Sequence, residues 1–129
     1  MKDDNGHAAV PDIQERTLDY GVRAVRLYQA LQSDRSGAGR VIARQYLRSA
    51  TSIGANVAEA QGGETRADFI HKYSIALKET RESLYWLRLV ERATLLPPQR
   101  LSDIIAETRE ILAVITAIVV NAKRKTADQ

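Results

Sequence analysis

The sequence contains no cysteine, only three prolines and seven glycines, and 5% aromatic residues. Without cysteine the chain cannot be a disulfide-stabilised secreted scaffold. Its longest nearly apolar run, residues 111–122, is interrupted by Thr116 and Asn121 and falls short of the roughly 18 residues of a membrane-spanning helix. The polar start MKDDNGHAAVPD lacks the apolar stretch of a signal peptide. We therefore expect a cytoplasmic protein without a membrane partner.

The 129 residues, 44% of them apolar, are enough for one domain with a sizeable core. The formal net charge is a modest +3, but 14 of the 19 basic residues are arginine. Arginine favours planar pairing with carboxylates or phosphates, so the positions of these residues matter more than the total charge.

Glycine and proline divide the chain into four long segments, 12–32, 40–60, 65–94 and 98–122. Apolar residues in each segment recur at alternating spacings of three and four, which predicts helices rather than strands. Short connections between long helices predict an all-α, antiparallel up-down-up-down four-helix bundle, with residues 12–122 as its single domain. We expect residues 1–11 and the basic residues 123–129 to be flexible tails.

The third and fourth segments carry more apolar surface than one buried stripe can use. The surplus in the third segment is Tyr85, Trp86, Leu89 and Val90, and in the fourth it is Leu112, Val114, Val119 and Val120. This surplus predicts a subunit interface in a homo-oligomer. The alternative is an irregular bundle in which all of these residues are internal.

The second segment places a polar seam beside its apolar seam. The apolar seam is Tyr46, Ala50, Ile53, Val57 and Ala60, and the polar seam is Gln45, Ser49, Ser52, Asn56 and Glu59. Short polar side chains next to a core are best satisfied by hydrogen bonds to a neighbouring helix. We expect their partners on the third segment, among Lys72, Glu79, Glu82 and Ser83.

These residues carry a family resemblance. The stretch QYLRSATSIGANVAEAQGGETRADFIHKYSIALKETRESLYWLRL, residues 45–89, resembles the four-helix bundle family named for proteins encoded in intervening sequences of bacterial 23S ribosomal RNA genes. The segment ERTLDYGVRAVRLYQAL is similar to the family's first helix. This chain departs from many members at Ala60 and at Lys78 and Glu79, and is closer to a branch of unknown function.

The resemblance implies a left-handed antiparallel bundle that assembles into a ring-like homo-oligomer, a pentamer by analogy with related bundles. Accessory proteins of diversity-generating retroelements are similar too, and they bind nucleic acid and a reverse transcriptase. The resemblance implies no catalytic residue.

The inventory for catalysis is poor, and we expect no enzyme, metal or cofactor. The only histidines are His7 and His71, and Asp68-x-x-His71 is the nearest approach to a di-iron motif. Two carboxylate pairs have the three-residue spacing of an acid/base site, but nearby basic residues explain them as salt bridges. The pairs are Glu79 with Glu82 and Glu107 with Glu110.

Nucleic-acid binding has better support. No acidic residue lies between Asp34 and Glu59, and arginines at four-residue spacing there form a stripe on one helical face, namely Arg40, Arg44 and Arg48. The basic run Lys123, Arg124 and Lys125, together with Arg16, Arg23 and Arg26, could extend the stripe. Without interleaved aromatic residues, the stripe predicts contact with RNA or DNA phosphates rather than sequence readout. Alternatively, these arginines form salt bridges with glutamates on other helices.

A different class of function is a protein-interaction scaffold, in which the homo-oligomer docks a protein partner and the positive charge is incidental. Trp86, Tyr85 and Leu89 would then be natural anchors, provided that they remain exposed after assembly.

Overall fold

Four helices make up the fold in a computed structural model that describes residues 12–128. They are α1 (Ile13–Leu31), α2 (Ala38–Gln61), α3 (Arg66–Arg92) and α4 (Ser102–Ala127), with one turn of 3-10 helix at Pro98–Arg100. No strand occurs in the described part of the chain. The all-α prediction is confirmed, and the helices pack compactly in a manner consistent with a bundle.

The helix boundaries differ from the expected ones mainly at the two ends of the fourth segment. Pro98 begins the 3-10 turn rather than α4. Residues 123–127, expected in a flexible tail, continue α4 to Ala127, so that prediction is wrong for them. The physical reason is that no glycine or proline interrupts α4, while lysine and arginine are good helix formers that also favour a helix C-terminus. The predicted tail at residues 1–11 lies outside the described residues.

The connection between α1 and α2 is held by the carboxylate of Asp34. Its Oδ2 accepts hydrogen bonds from the Ser36 hydroxyl and from the Gly39 amide, both at 2.7 Å. These two bonds lower the pKa of Asp34, because they favour the charged form. Gly37 has φ 84°, and a Cβ on Gly39 would lie 2.7 Å from the Cβ of Asp34. The turn therefore requires glycine at both positions.

The predicted start of the third helix is confirmed. Thr65 is the N-cap of α3, and its hydroxyl accepts a hydrogen bond of 3.1 Å from the Asp68 amide. Asp12 caps α1 in the same way, accepting from the Gln14 amide at 3.2 Å. Each cap satisfies one of the amides that a helix N-terminus otherwise leaves without a partner.

The predicted apolar seam of α2 lies in the core, together with one side of α4. All five residues of the α2 seam are buried, as are Leu101 just before α4 and Ile104, Thr108, Ile111, Ile115 and Ala122 on it. On α3, Ser83 and Val90 are buried, while Ile70, Leu77 and Leu84 are half-buried. Ser83 faces α2, where its hydroxyl meets that of Ser49.

A chain of buried hydroxyl groups links three helices through the core. Tyr46 on α2 donates to the hydroxyl of Tyr20 on α1 at 3.0 Å, and that hydroxyl lies 2.7 Å from the hydroxyl of Thr108 on α4. Thr108 in turn donates to the carbonyl of Ile104 at 2.6 Å. Burial raises the pKa of both tyrosines, because the interior disfavours a phenolate. Both phenols therefore stay neutral donors.

Contacts between α2 and α3 follow a consistent order. Ser49 meets Ser83 and Glu59 meets Lys72, so that later positions on α2 contact earlier positions on α3. Between α1 and α4, Arg16 pairs with Glu107. No helix in residues 12–128 is both long and apolar enough to cross a membrane.

Replacing Tyr20 with phenylalanine tests the hydroxyl chain. Tyr20→Phe leaves the buried Tyr46 hydroxyl without an acceptor, so we expect the free energy of unfolding to fall by about 1–3 kcal/mol. Urea denaturation followed by circular dichroism measures this change. Tyr28→Phe is the matched control, because the half-buried Tyr28 hydroxyl has no hydrogen-bond partner among the described residues. Equal losses in the two variants would contradict this account.

Candidate nucleic-acid interface

The arginine stripe lies along the exposed side of α2. Arg40 is in the first turn, Arg44 in the second and Arg48 in the third, and all three side chains are exposed. Because one helical turn rises about 5.4 Å, guanidinium groups four residues apart can lie side by side on one face. The three arginines therefore share one exposed face of α2, but they differ in what they contact.

Arg48 is paired with two carboxylates of α3. Its guanidinium contacts Glu82 closely and lies 3.5 Å from Glu79, whose side chain is 14% exposed. For Arg48, the structure therefore shows the alternative that the sequence left open, namely salt bridges with glutamates on another helix. Arg16 resembles Arg48, since it pairs with Glu107 and Glu110 of α4. These hydrogen bonds, that of Glu107 above all, raise the pKa of Arg16.

Arg40 and Arg44 are in a different situation. No carboxylate within residues 12–128 lies within salt-bridge distance of either side chain. Arg40 donates to the main-chain carbonyl of Asp34 at 3.5 Å, and its charge adds to the hydrogen bonds that lower the pKa of the Asp34 carboxylate, which lies beyond salt-bridge distance. Two exposed positive charges in the first two turns of α2 are thus available to a ligand.

The basic run at the end of α4 lies at the opposite end of α2 from Arg40. Lys125 lines a cleft with Gln61 and Arg66, and Lys123 lines another with Arg66 and His71. Since Arg40 and Gln61 are 21 residues apart on α2, about 30 Å of helix separates the two groups. Lys123, Arg124 and Lys125 therefore do not extend the stripe as the sequence suggested.

The predicted polar seam is divided between contacts across helices and contacts within α2. Ser49 meets Ser83 at 2.9 Å, and Glu59 accepts from Lys72 at 2.7 Å. The amide of Asn56, in contrast, donates to the carbonyl and hydroxyl of Ser52 on its own helix. Gln45 is exposed.

The sequence reasoning missed one cross-helix contact. Gln61 donates to the Tyr73 hydroxyl at 3.0 Å. Gln61 follows the core residue Val57 by four positions, or about one helical turn. This spacing was the signal in the sequence for a contact between Gln61 and a neighbouring helix.

The apolar surplus of α3 and α4 is partly internal and partly exposed. Val90 and Val119 are buried, while Trp86, Leu89 and Leu112 are half-buried. Tyr85 is 59% exposed and lies edge-on against Trp86, with ring centroids 5.1 Å apart. The outer side of α4 remains uncharged and open to solvent over Ala113, Val114, Ala117 and Val120.

A second apolar surface lies between α1 and α2, outside the segments for which the sequence predicted an interface. Leu18, Val22 and Val25 form an exposed ridge, with Leu18 60% exposed. The ridge borders a groove of about 520 Å³, whose lining includes the small residues Gly21, Gly54, Ala55 and Ala58. Gly54 allows the helices to approach, because a Cβ there would lie 3.2 Å from the Thr17 carbonyl oxygen. The three-four spacing of the ridge was a signal for a second apolar stripe on α1.

The residues considered for an acid/base or metal site lie in salt bridges or are exposed. Both predicted carboxylate pairs are engaged by arginines, Glu79 and Glu82 by Arg48 and Glu107 and Glu110 by Arg16. Asp68 and His71 are exposed. No group of three metal-ligating side chains comes together in residues 12–128.

The family model for the 23S rRNA-intervening sequence protein matches residues 12–117. The match covers α1, α2, α3 and most of α4. The chain belongs to this family. The resemblance noted from the sequence is thereby confirmed.

A solved structure supports the same assignment. The chain is similar to a protein of unknown function from the S23 ribosomal protein family of Bacteroides thetaiotaomicron, with 38% sequence identity and a TM-score of 0.78. The similarity covers 84% of this chain and 98% of the other. No curated protein matches the chain. Both similarities therefore support membership of the family, and neither assigns an activity.

Comparing Arg48 with Arg44 tests whether the stripe has two kinds of arginine. Arg48→Ala leaves Glu79 and Glu82 without a cation, so we expect the free energy of unfolding to fall by about 1 kcal/mol, and by less at high salt. Arg44→Ala, the matched control, should change it by less than about 0.5 kcal/mol. Urea denaturation at low and high salt measures both. Indistinguishable values would refute the distinction.

Proposed function

We propose that this chain is a non-enzymatic, cytoplasmic, oligomeric four-helix bundle that binds the phosphate backbone of RNA or DNA as an accessory protein. The observation that carries the proposal is the pair of exposed arginines, Arg40 and Arg44, which have no carboxylate within salt-bridge distance in residues 12–128. The family's description, which refers to 23S rRNA, is compatible with an RNA ligand.

The electrostatics of α2 favour this function. Glutamates on α3 and α4 neutralise Arg48 and Arg16, whereas the first two turns of α2 keep their positive charge exposed. Phosphate is the anion that guanidinium groups bind with matching planar geometry. Contacts of this kind position a protein on nucleic acid without reading its sequence. We therefore propose binding that depends on structure and salt rather than on base identity.

We also propose an antiparallel up-down-up-down arrangement with left-handed packing. The decreasing order of α3 partners along α2, from Ser83 opposite Ser49 to Lys72 opposite Glu59, supports the antiparallel part. The three-four seams of α2 and α4 are typical of helices that cross at about +20°, as in left-handed bundles.

Self-association is proposed through two different apolar surfaces. The ridge and groove between α1 and α2 form one, and the uncharged outer side of α4 forms the other. Contact between two unlike surfaces is head-to-tail, and such contacts close into a ring when the rotation permits. A ring, with the five copies that the family resemblance implies, would repeat Arg40 and Arg44 in every subunit and add avidity for a long ligand.

Reversing the charge of the exposed pair tests the nucleic-acid proposal. We expect the affinity of Arg40→Glu/Arg44→Glu for a structured RNA or a duplex DNA to fall by about tenfold or more, because two phosphate contacts become repulsive. Fluorescence anisotropy over a salt series measures the affinity. In a plot of log affinity against log salt concentration, the slope of the variant should be smaller in magnitude than that of the parent protein by about two.

The matched control carries the same change of charge on two residues of α4, close to the other end of α2. Lys123→Glu/Arg124→Glu should lower affinity by less than about threefold, because it reverses long-range attraction only. Equal losses in both variants would mean that net charge, rather than the stripe, controls binding. If the parent protein binds no nucleic acid even at low salt, the proposal fails, and a scaffold that docks a protein partner becomes the better account.

A charged residue in the apolar groove tests self-association. We expect the parent protein to be oligomeric at micromolar concentration, and Val22→Glu to dissociate it, since the new carboxylate would be buried without a partner. Native mass spectrometry and analytical ultracentrifugation measure the mass. Val41→Glu is the control, because Val41 is also exposed but lies outside the groove. A monomeric parent protein would overturn the oligomer proposal.

A further inference from the structure

Three arginines from two distant parts of the sequence surround a small cleft between α1 and the start of α4. Arg23 and Arg26 project from α1, and Arg100 comes from the 3-10 turn before α4. The cleft has a volume of about 210 Å³, and Leu27 and Ile104 complete its lining. The three positive charges therefore converge because of the fold, and no run of basic residues in the sequence announces them.

No salt bridge within the described residues holds any member of this cluster. None of the three arginines has a carboxylate within 4.0 Å in residues 12–128. The two apolar lining residues, Leu27 and Ile104, are 6% and 5% exposed and offer no side-chain hydrogen-bond acceptor. Like charges held together repel one another, and an anion in the cleft removes that repulsion.

Arg23 is the innermost of the three. Its side chain is half-buried, whereas Arg26 and Arg100 are exposed. Arg23 also lies close enough to the buried Tyr20 and Tyr46 hydroxyls for its charge to oppose the rise that burial causes in their pKa values. The site thus combines one half-buried guanidinium with two exposed ones.

We infer that this cleft binds a phosphate group, with Arg23, Arg26 and Arg100 as its ligands. Guanidinium groups bind tetrahedral oxyanions through paired N–H donors, and three of them can bind one phosphate from several sides. The small volume suits a single phosphate or a pyrophosphate rather than a whole nucleoside. The site lies between α1 and α4, apart from Arg40 and Arg44 on α2, and does not depend on them.

Isothermal titration calorimetry with pyrophosphate in a chloride buffer tests the inference. The parent protein should show saturable binding, and Arg26→Gln/Arg100→Gln should weaken it by about tenfold or more, as two of three charge-assisted contacts are lost. Leaving Arg23 in place protects the packing near the tyrosines. Arg40→Gln/Arg44→Gln removes the same charge from α2 and should change the pyrophosphate affinity by less than about twofold.

A second titration, with a short RNA in place of pyrophosphate, separates the two sources of a phosphate group. Weaker RNA binding by Arg26→Gln/Arg100→Gln would identify the phosphate as part of a nucleic-acid strand. Unchanged RNA binding with lost pyrophosphate binding would identify a free phosphate or pyrophosphate. The inference is overturned if pyrophosphate does not bind the parent protein, or if both double variants lose it equally. Because pyrophosphate binding is measured without RNA, this result is independent of the proposed α2 contact.

Discussion

The hydroxyl of Tyr20 is the point on which the arrangement of the helices depends. It accepts a hydrogen bond from Tyr46 of α2 and meets Thr108 of α4, so one atom of α1 fixes the relative positions of three helices. Buried polar groups are costly unless they are satisfied, and the observed position of α1 satisfies these. Arg16 strengthens the same contact between α1 and α4 at the surface. The position of Arg23, one turn beyond Tyr20, follows from this constraint.

With the helices fixed in this way, the arginines fall into two groups. Arg16 and Arg48 join neighbouring helices by pairing with glutamates, and they belong to the structure. Arg40 and Arg44 face solvent, and Arg100 meets the arginines of α1 at the cleft. The arginines without a salt bridge therefore include those at the start of α2 and those around the cleft between α1 and α4.

Sequence periodicity was sufficient for the helices and for most of the core, because a buried stripe repeats along each helix. The predicted start of the third segment at residue 65 also agrees with the N-cap of α3 at Thr65, because helix capping involves neighbours in the chain. Periodicity could not tell Arg48 from Arg44, because the difference lies in Glu79 and Glu82 on another helix. It also could not bring Arg100 to α1, or place Lys123 away from Arg40. Such relationships come from packing, and no local pattern records them.

The turn before α2 has a consequence for genetics. Gly39 has no side chain to contribute to either proposed binding site. A methyl group at this position would nevertheless collide with Asp34 and disturb the turn that sets the direction of α2. Arg40 follows it directly in the chain. A random-mutagenesis screen for loss of binding would therefore recover Gly39 variants together with variants of true contact residues. A binding surface defined from such a screen alone would wrongly include a residue that only maintains the turn.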